Sequence, residues 1–121
     1  MQTIKDCIGL VNDQGVSIGI YPEAMRNFQD KVLLEFKHGC FHIARKTQVP
    51  IVVMTLKGTE DFKSNVLFKK HVVKLNVLDV IEASHYMPLT NDDIDKETYD
   101  MMYDAIKDHY TEYENKKKEK E

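Results

Sequence analysis

The stretch Gly15-Val-Ser-Ile-Gly-Ile-Tyr-Pro-Glu-Ala-Met-Arg26 decides how this chain is read. Val16 to Tyr21 is short and largely apolar, the pattern of a strand covered on both faces, as in parallel sheets. Pro22 ends the run, and Glu23 and a lone Arg26 follow. Ligands of open α/β sheets bind at the carboxyl ends of the strands. One acid and one guanidinium behind a proline-stiffened turn therefore predict a site for an anionic group, with Arg26 giving planar, bidentate hydrogen bonds to phosphate oxygens. Glu23 either orients Arg26 or hydrogen-bonds a hydroxyl of the ligand. It is a poor general base, because a guanidinium beside a carboxylate lowers its proton affinity. Farther on, Glu35-Phe-Lys-His-Gly-Cys-Phe-His-Ile-Ala-Arg45 places Lys37 and Gly39 at the start of a helix, where free N–H groups and the dipole favour phosphate.

Around these blocks the periodicity predicts the order α-β-α-β-β-α. Ile4, Cys7, Ile8 and Val11 share one face of a helix over 2–12. Strands are expected at 16–21, 51–56 and 71–80, and helices at 39–47 and 92–114. A strand–helix–strand crossover in one sheet makes the first two strands parallel. Val73, Leu75 and Val77 alternate with Lys74 and Asn76, so one face of the third strand is expected to be solvated. Thr90 is positioned to cap the last helix, whose Tyr99, Tyr103, Ile106, Tyr110 and Tyr113 form a stripe. The stripe reads as docking against the sheet, with peripheral membrane contact as the second reading. Residues 1–114 form one domain, and 115–121, all Lys and Glu after Asn115, read as a frayed or disordered tail.

Composition narrows the function classes. The chain has 121 residues, 42% apolar and 31% charged, which is a globular balance for a single domain. A formal charge of -3 argues against a bulk-electrostatic nucleic-acid binder. No apolar run reaches the ~18 residues of a membrane span, and no signal peptide is visible. Cys7 and Cys40 lack CxxC spacing and suit a reducing, cytoplasmic setting. His38 and His42 have metal-ligand spacing but no third ligand in register, so no metal or other cofactor is expected. Cys40, on the apolar helix face, reads as a core residue rather than a nucleophile.

Tyr21-Pro-Glu-Ala-Met-Arg26 resembles the F-P-E-G-T-R block of the glycerolipid acyltransferases, in particular the 1-acyl-sn-glycerol-3-phosphate acyltransferases. Phe36-Lys37-x-Gly39, with Phe41 and Ala44, is similar to the family's F-K-x-G helix start, and Val49-Pro-Ile-Val-Val53 to its V-P-I-V-P-V strand. Gly58-Thr59 is similar to the turn that follows. The resemblance covers about residues 2–80. It departs at Ala24, where the family has Gly, at Met25, where it has Thr, and at Val53, where it has Pro. The family's base is the His of a His-x4-Asp motif that lies upstream of these blocks. Here the positions following at that spacing are Ile43, Thr47, Asn76, Thr90 and Glu114, so this sequence contains none.

The resemblance implies a partial glycerol-3-phosphate acyltransferase-type fold, a mixed sheet equivalent to the C-terminal half of the family domain. It implies acyl-CoA or acyl carrier protein as donor and lysophosphatidate as acceptor, in phospholipid biosynthesis. Arg26, Glu23, Lys37 and Gly39 would hold the acceptor phosphate, with no catalytic residue in the chain and no activity from it alone. Strands that read as interior while half a domain is wanting imply self-association or a partner chain supplying that half. Two other readings stay open: a non-catalytic phosphate- or anionic-lipid-binding module, and a small α/β interaction protein with chance similarity.

Overall fold

The computed structural model describes residues 2–27, 31–59 and 70–119. Helix α1 (Gln2–Gln14) half-buries the expected stripe of Ile4, Cys7, Ile8 and Val11. It ends at Gly15, whose φ of 63° lets its N–H close back on the Val11 carbonyl at 3.0 Å. A 3-10 helix (His38–Phe41) runs into α2 (His42–Thr47), which packs against α1. Strand β1 (Ile51–Lys57) pairs with β2 (Lys74–Ile81), and the short α3 (Ala83–Tyr86) leads into the long α4 (Asn91–Glu119).

The parallel sheet does not form. The described residues hold one two-stranded sheet, and β1 and β2 are antiparallel, from Ile51 opposite Ile81 to Lys57 opposite Lys74. Residues 16–21 are not part of it. Val16 to Ile20 run without regular structure, and none of their backbone groups is paired with a described residue. Two causes are visible. Gly15 just before the run ends α1, and Gly19 inside it weakens any strand made from it. A parallel strand also needs cover on both faces, yet Val16 and Ile20 are exposed here and Tyr21 is 76% exposed.

Other boundaries shift for local reasons. The helix expected over 39–47 is split because the Cys40 N–H reaches back only three residues, to the Lys37 carbonyl at 3.0 Å. Thr90 caps α4 as expected: its hydroxyl accepts the Asp93 N–H at 3.1 Å, and Asp93 accepts the Thr90 N–H and O–H at 3.2 and 2.7 Å. Those donors, the hydroxyl first, hold the Asp93 carboxyl below its ordinary range. Helix α4 then continues past residue 114 to Glu119. The chain leaves β1 through Gly58, where φ is 92° and a Cβ would fall onto the Val72 carbonyl.

The core lies between the inner face of the sheet and α4. Leu33, Phe36, Phe41, Val53, Ile81, Tyr86 and Ile94 form it, with Ile94 fully buried. A bulge opposite Val53 adds Leu78 to β2; Leu78 packs onto this core while Asp79 turns out to solvent. The opposite face of the sheet is apolar and open. Val52 lies beside Val80, Met54 beside Val77 and Leu56 beside Leu75, and all six side chains are exposed. On β2 the expected alternation therefore does not separate a buried face from a wet one, since Lys74 to Val77 are exposed on both sides.

The turn after residue 20 positions the site. The Ala24 N–H donates to the Tyr21 carbonyl at 3.0 Å across Pro22 and Glu23, and Ala24 sits at φ 56°, in the left-handed region. That region is costly for a residue with a Cβ and free for glycine. The substitution Ala24→Gly is expected to raise the unfolding free energy by about 1 kcal/mol, relief of strain outweighing the extra freedom of the unfolded chain. Urea unfolding followed by circular dichroism measures it, and a loss of stability would show that the Ala24 conformation carries no strain.

Candidate functional site

Two hydrogen bonds fasten the Tyr21–Arg26 turn to the segment before the 3-10 helix. The Lys37 N–H donates to the Pro22 carbonyl at 2.8 Å, and the Leu34 N–H donates to Glu23 Oε2 at 2.8 Å. Glu23 is half-buried, so its carboxylate serves as an internal acceptor for the 31–37 loop. The same loop is held from the other side by α4: the Tyr99 hydroxyl donates to the Leu33 carbonyl at 3.2 Å, and the Tyr99 ring meets Phe36 edge-on at 5.3 Å. Asn27 closes the loop's mouth by donating its side-chain amide to the Lys31 carbonyl.

The four residues expected from sequence are thus distributed unevenly. Glu23 and the backbone of Lys37 belong to the fastening. Arg26 and Lys37 keep exposed side chains with no hydrogen bond or ion pair to a described residue. Gly39 is exposed within the four-residue 3-10 helix. The Cys40 amide of that helix is already spent on Lys37, so little of a helix N-terminus is left to face an anion. His42 is exposed, and the described residues hold no cluster of His, Cys, Asp or Glu able to bind a metal ion. Burial, and secondarily the Asp95 charge, push the Cys40 thiol up to about 11, which leaves it protonated and unreactive at neutral pH.

Sequence reasoning did not anticipate the cavity beside this turn. It has a volume of about 770 Å³ and lies between the extended run Gly15–Ile20 and β1, with Pro22, Phe36 and Cys40 also on its wall. Its signal in the sequence is indirect: two strand-like runs, one of which contains the glycines that keep it from pairing. Tyr99 could be anticipated only as part of the stripe. Its hydroxyl contact with Leu33 depends on a loop with no periodicity.

A family model described as Acyltransferase matches residues 1–57. A 1-acyl-sn-glycerol-3-phosphate acyltransferase of Cocos nucifera is 28% identical over 113 residues, covering 93% of this chain and 34% of the relative. The chloroplastic enzyme of that name in Brassica napus is 46% identical over 56 residues, 46% of this chain and 16% of the relative. The alpha form of Homo sapiens is 41% identical over 49 residues, 40% of this chain and 17% of the relative. The chain spans about a third of the length of the first of these relatives. No solved structure gives a significant match. No helix among the described residues is long and apolar enough to cross a membrane. Residues 1–57 match the acyltransferase family model, and the chain over most of its length is similar to the 1-acyl-sn-glycerol-3-phosphate acyltransferases.

Proposed function

We propose that this chain supplies the acceptor-side phosphate grip of a lysophosphatidate acyltransferase. The observation that carries the reading is the fastened turn: it fixes the Tyr21–Arg26 block against the Lys37 segment while leaving both cations without a partner among the described residues. Arg26 takes two phosphate oxygens of lysophosphatidate through its guanidinium, and Lys37 adds a point charge. Glu23 acts through the backbone, as a positioning residue for the loop that carries Lys37. In the full reaction an acceptor hydroxyl attacks the carbonyl of an acyl-CoA or acyl carrier protein thioester, a base takes the hydroxyl proton, and the thiolate leaves. The sequence contains no His-x4-Asp to act as that base, so the base comes from outside these 121 residues. That same absence favours the second reading, a non-catalytic module for phosphate or anionic lipid.

Titration calorimetry with lysophosphatidate tests the grip. Arg26→Ala is expected to weaken binding roughly ten- to a hundred-fold, the value of a charge-assisted bidentate contact, while circular dichroism stays unchanged. Equal affinity in the variant would remove Arg26 from the site. Thioester release from acyl-CoA by the unaltered chain is expected to match a heat-killed control; turnover above it would end the claim that the base lies elsewhere. Glu23→Ala is expected to cost about 1.5–3 kcal/mol locally, seen as faster exchange of the Leu34 amide, with Glu23→Gln losing less because it keeps an acceptor oxygen. Unchanged exchange at Leu34 in Glu23→Ala would return Glu23 to the role of direct ligand.

A further inference from the structure

The peptide group between Leu33 and Leu34 is held at both ends. Its carbonyl accepts the Tyr99 hydroxyl at 3.2 Å, and its N–H donates to Glu23 Oε2 at 2.8 Å. The C=O and N–H of a trans peptide point in opposite directions, so the two side chains reach one peptide plane from opposite sides. Donation to the carbonyl polarises the group and strengthens its N–H as a donor, which couples the two bonds. Leu33 and Leu34 are buried, and so is Phe36, whose ring meets Tyr99 edge-on. The plane is thus fixed in a loop, 31–37, that has no helix or strand of its own. Tyr99 is delivered by α4, whose register is set by the Thr90 cap and the fully buried Ile94. Burial first, then Tyr103 and the carboxylates of Glu23, Glu35 and Asp100, raise the Tyr99 pKa and keep the donor protonated.

We infer that Tyr99 is a positioning residue of the proposed anion grip: by fixing the Leu33–Leu34 peptide it sets the course of the loop that delivers Lys37. The inference rests on the reading of Lys37 as a phosphate contact. Lys37 follows Leu34 by three residues, and its N–H bonds the Pro22 carbonyl at 2.8 Å, next to Glu23. A rotation of the held plane would take the Leu34 N–H off Glu23 and loosen the loop from the Arg26 turn. A loop already ordered when the ligand arrives does not have to be ordered by it, and that is what the hold contributes to affinity. Tyr99 lies outside residues 1–57, so the inference extends the site to a helix that the family model does not reach. Tyr103 stacks on Tyr99 at 6.2 Å with the planes 20° apart, and it separates a specific hold on the peptide from general docking of the tyrosine stripe.

The test compares Tyr99→Phe, which keeps the ring and removes the hydroxyl, with Tyr103→Phe, both in the full 121-residue chain. One readout needs no ligand: the amide proton shift and hydrogen exchange of Leu34, beside the exchange of β1. The other is titration calorimetry with lysophosphatidate. Tyr99→Phe is expected to move the Leu34 amide proton upfield and speed its exchange about tenfold, with β1 unchanged. It is also expected to weaken lysophosphatidate binding roughly three- to tenfold, the value of one hydrogen bond. In a Lys37→Ala background that loss should vanish, because a residue acting through Lys37 has nothing left to position. Tyr103→Phe should change neither readout. An unmoved Leu34 amide would overturn the inference, as would an equal effect from Tyr103→Phe or exchange in β1 rising by the same factor. Unchanged affinity in Tyr99→Phe, or the same loss with and without Lys37, would overturn it as well, while leaving the grip itself standing. Lys37→Ala that binds as tightly as the unaltered chain would instead end the reading of Lys37 as a phosphate contact, and the inference with it.

Discussion

The Tyr86 hydroxyl lies where three elements meet, within reach of the Ala44 carbonyl at 2.9 Å and the Val49 carbonyl at 2.8 Å. One O–H is shared between the last turn of α2 and the residue that leads into β1. The tyrosine that carries it is 1% exposed and sits among Val53, Ile81 and Ile94. A helix as short as α2 has no stability of its own, so its orphan carbonyls need partners from elsewhere. The Ala44 carbonyl accepts both the Tyr86 hydroxyl and the N–H of Gln48, which sits at φ 55°. Arg45 completes the joint, donating to the Leu89 carbonyl at 2.6 Å and so tying α2 to the residue just before the Thr90 cap of α4. Burial raises the Tyr86 pKa, which keeps the donor protonated.

From that joint the order of dependence runs outward. With α2 fixed, the 3-10 helix and Lys37 are fixed. Lys37 then holds Pro22, and Glu23 holds Leu34. The turn that carries Arg26 is thus placed by backbone hydrogen bonds and one half-buried carboxylate, with no ion pair in the chain of contacts. The contacts of His85 with Glu97 and of Lys107 with Asp104 are exposed and lie on α3 and α4, where such pairs contribute little. Arg26 and Lys37 have no partner among the described residues, which is the arrangement the proposed anion grip uses.

Sequence patterns were most legible where the determinants were local. The α1 stripe, the Thr90 cap and the strand expected at 51–56 depend on neighbours within a turn or two, and all three appear, the strand one residue longer. The family blocks were legible because each is short and contiguous. The parallel pairing was not, because pairing depends on what covers a strand rather than on the strand itself: Val16 to Tyr21 has the composition of an interior strand but lacks its surroundings here. The departure at Ala24 has a structural meaning that sequence alone could not supply. Glycine in the family block and φ 56° at Ala24 point to the same backbone demand, met in this chain by a residue that pays for its Cβ. Glu23 drew notice in the sequence as the acid after Pro22, but its hydrogen bond to Leu34 was not legible, since it joins residues across a loop without periodicity.

The same distinction explains the open face of the sheet. On β1 the inner residues Val53 and Thr55 are buried, and the outer residues Val52, Met54 and Leu56 are just as apolar but exposed. A strand written for one wet face would alternate apolar with polar side chains. This one does not, and its cross-strand partners Val80, Val77 and Leu75 repeat the choice. The amino acids therefore describe a strand with two dry faces and a neighbour on each edge, while the described residues supply one dry face and one neighbour. The uncovered face and the unpaired edge are two consequences of a single composition.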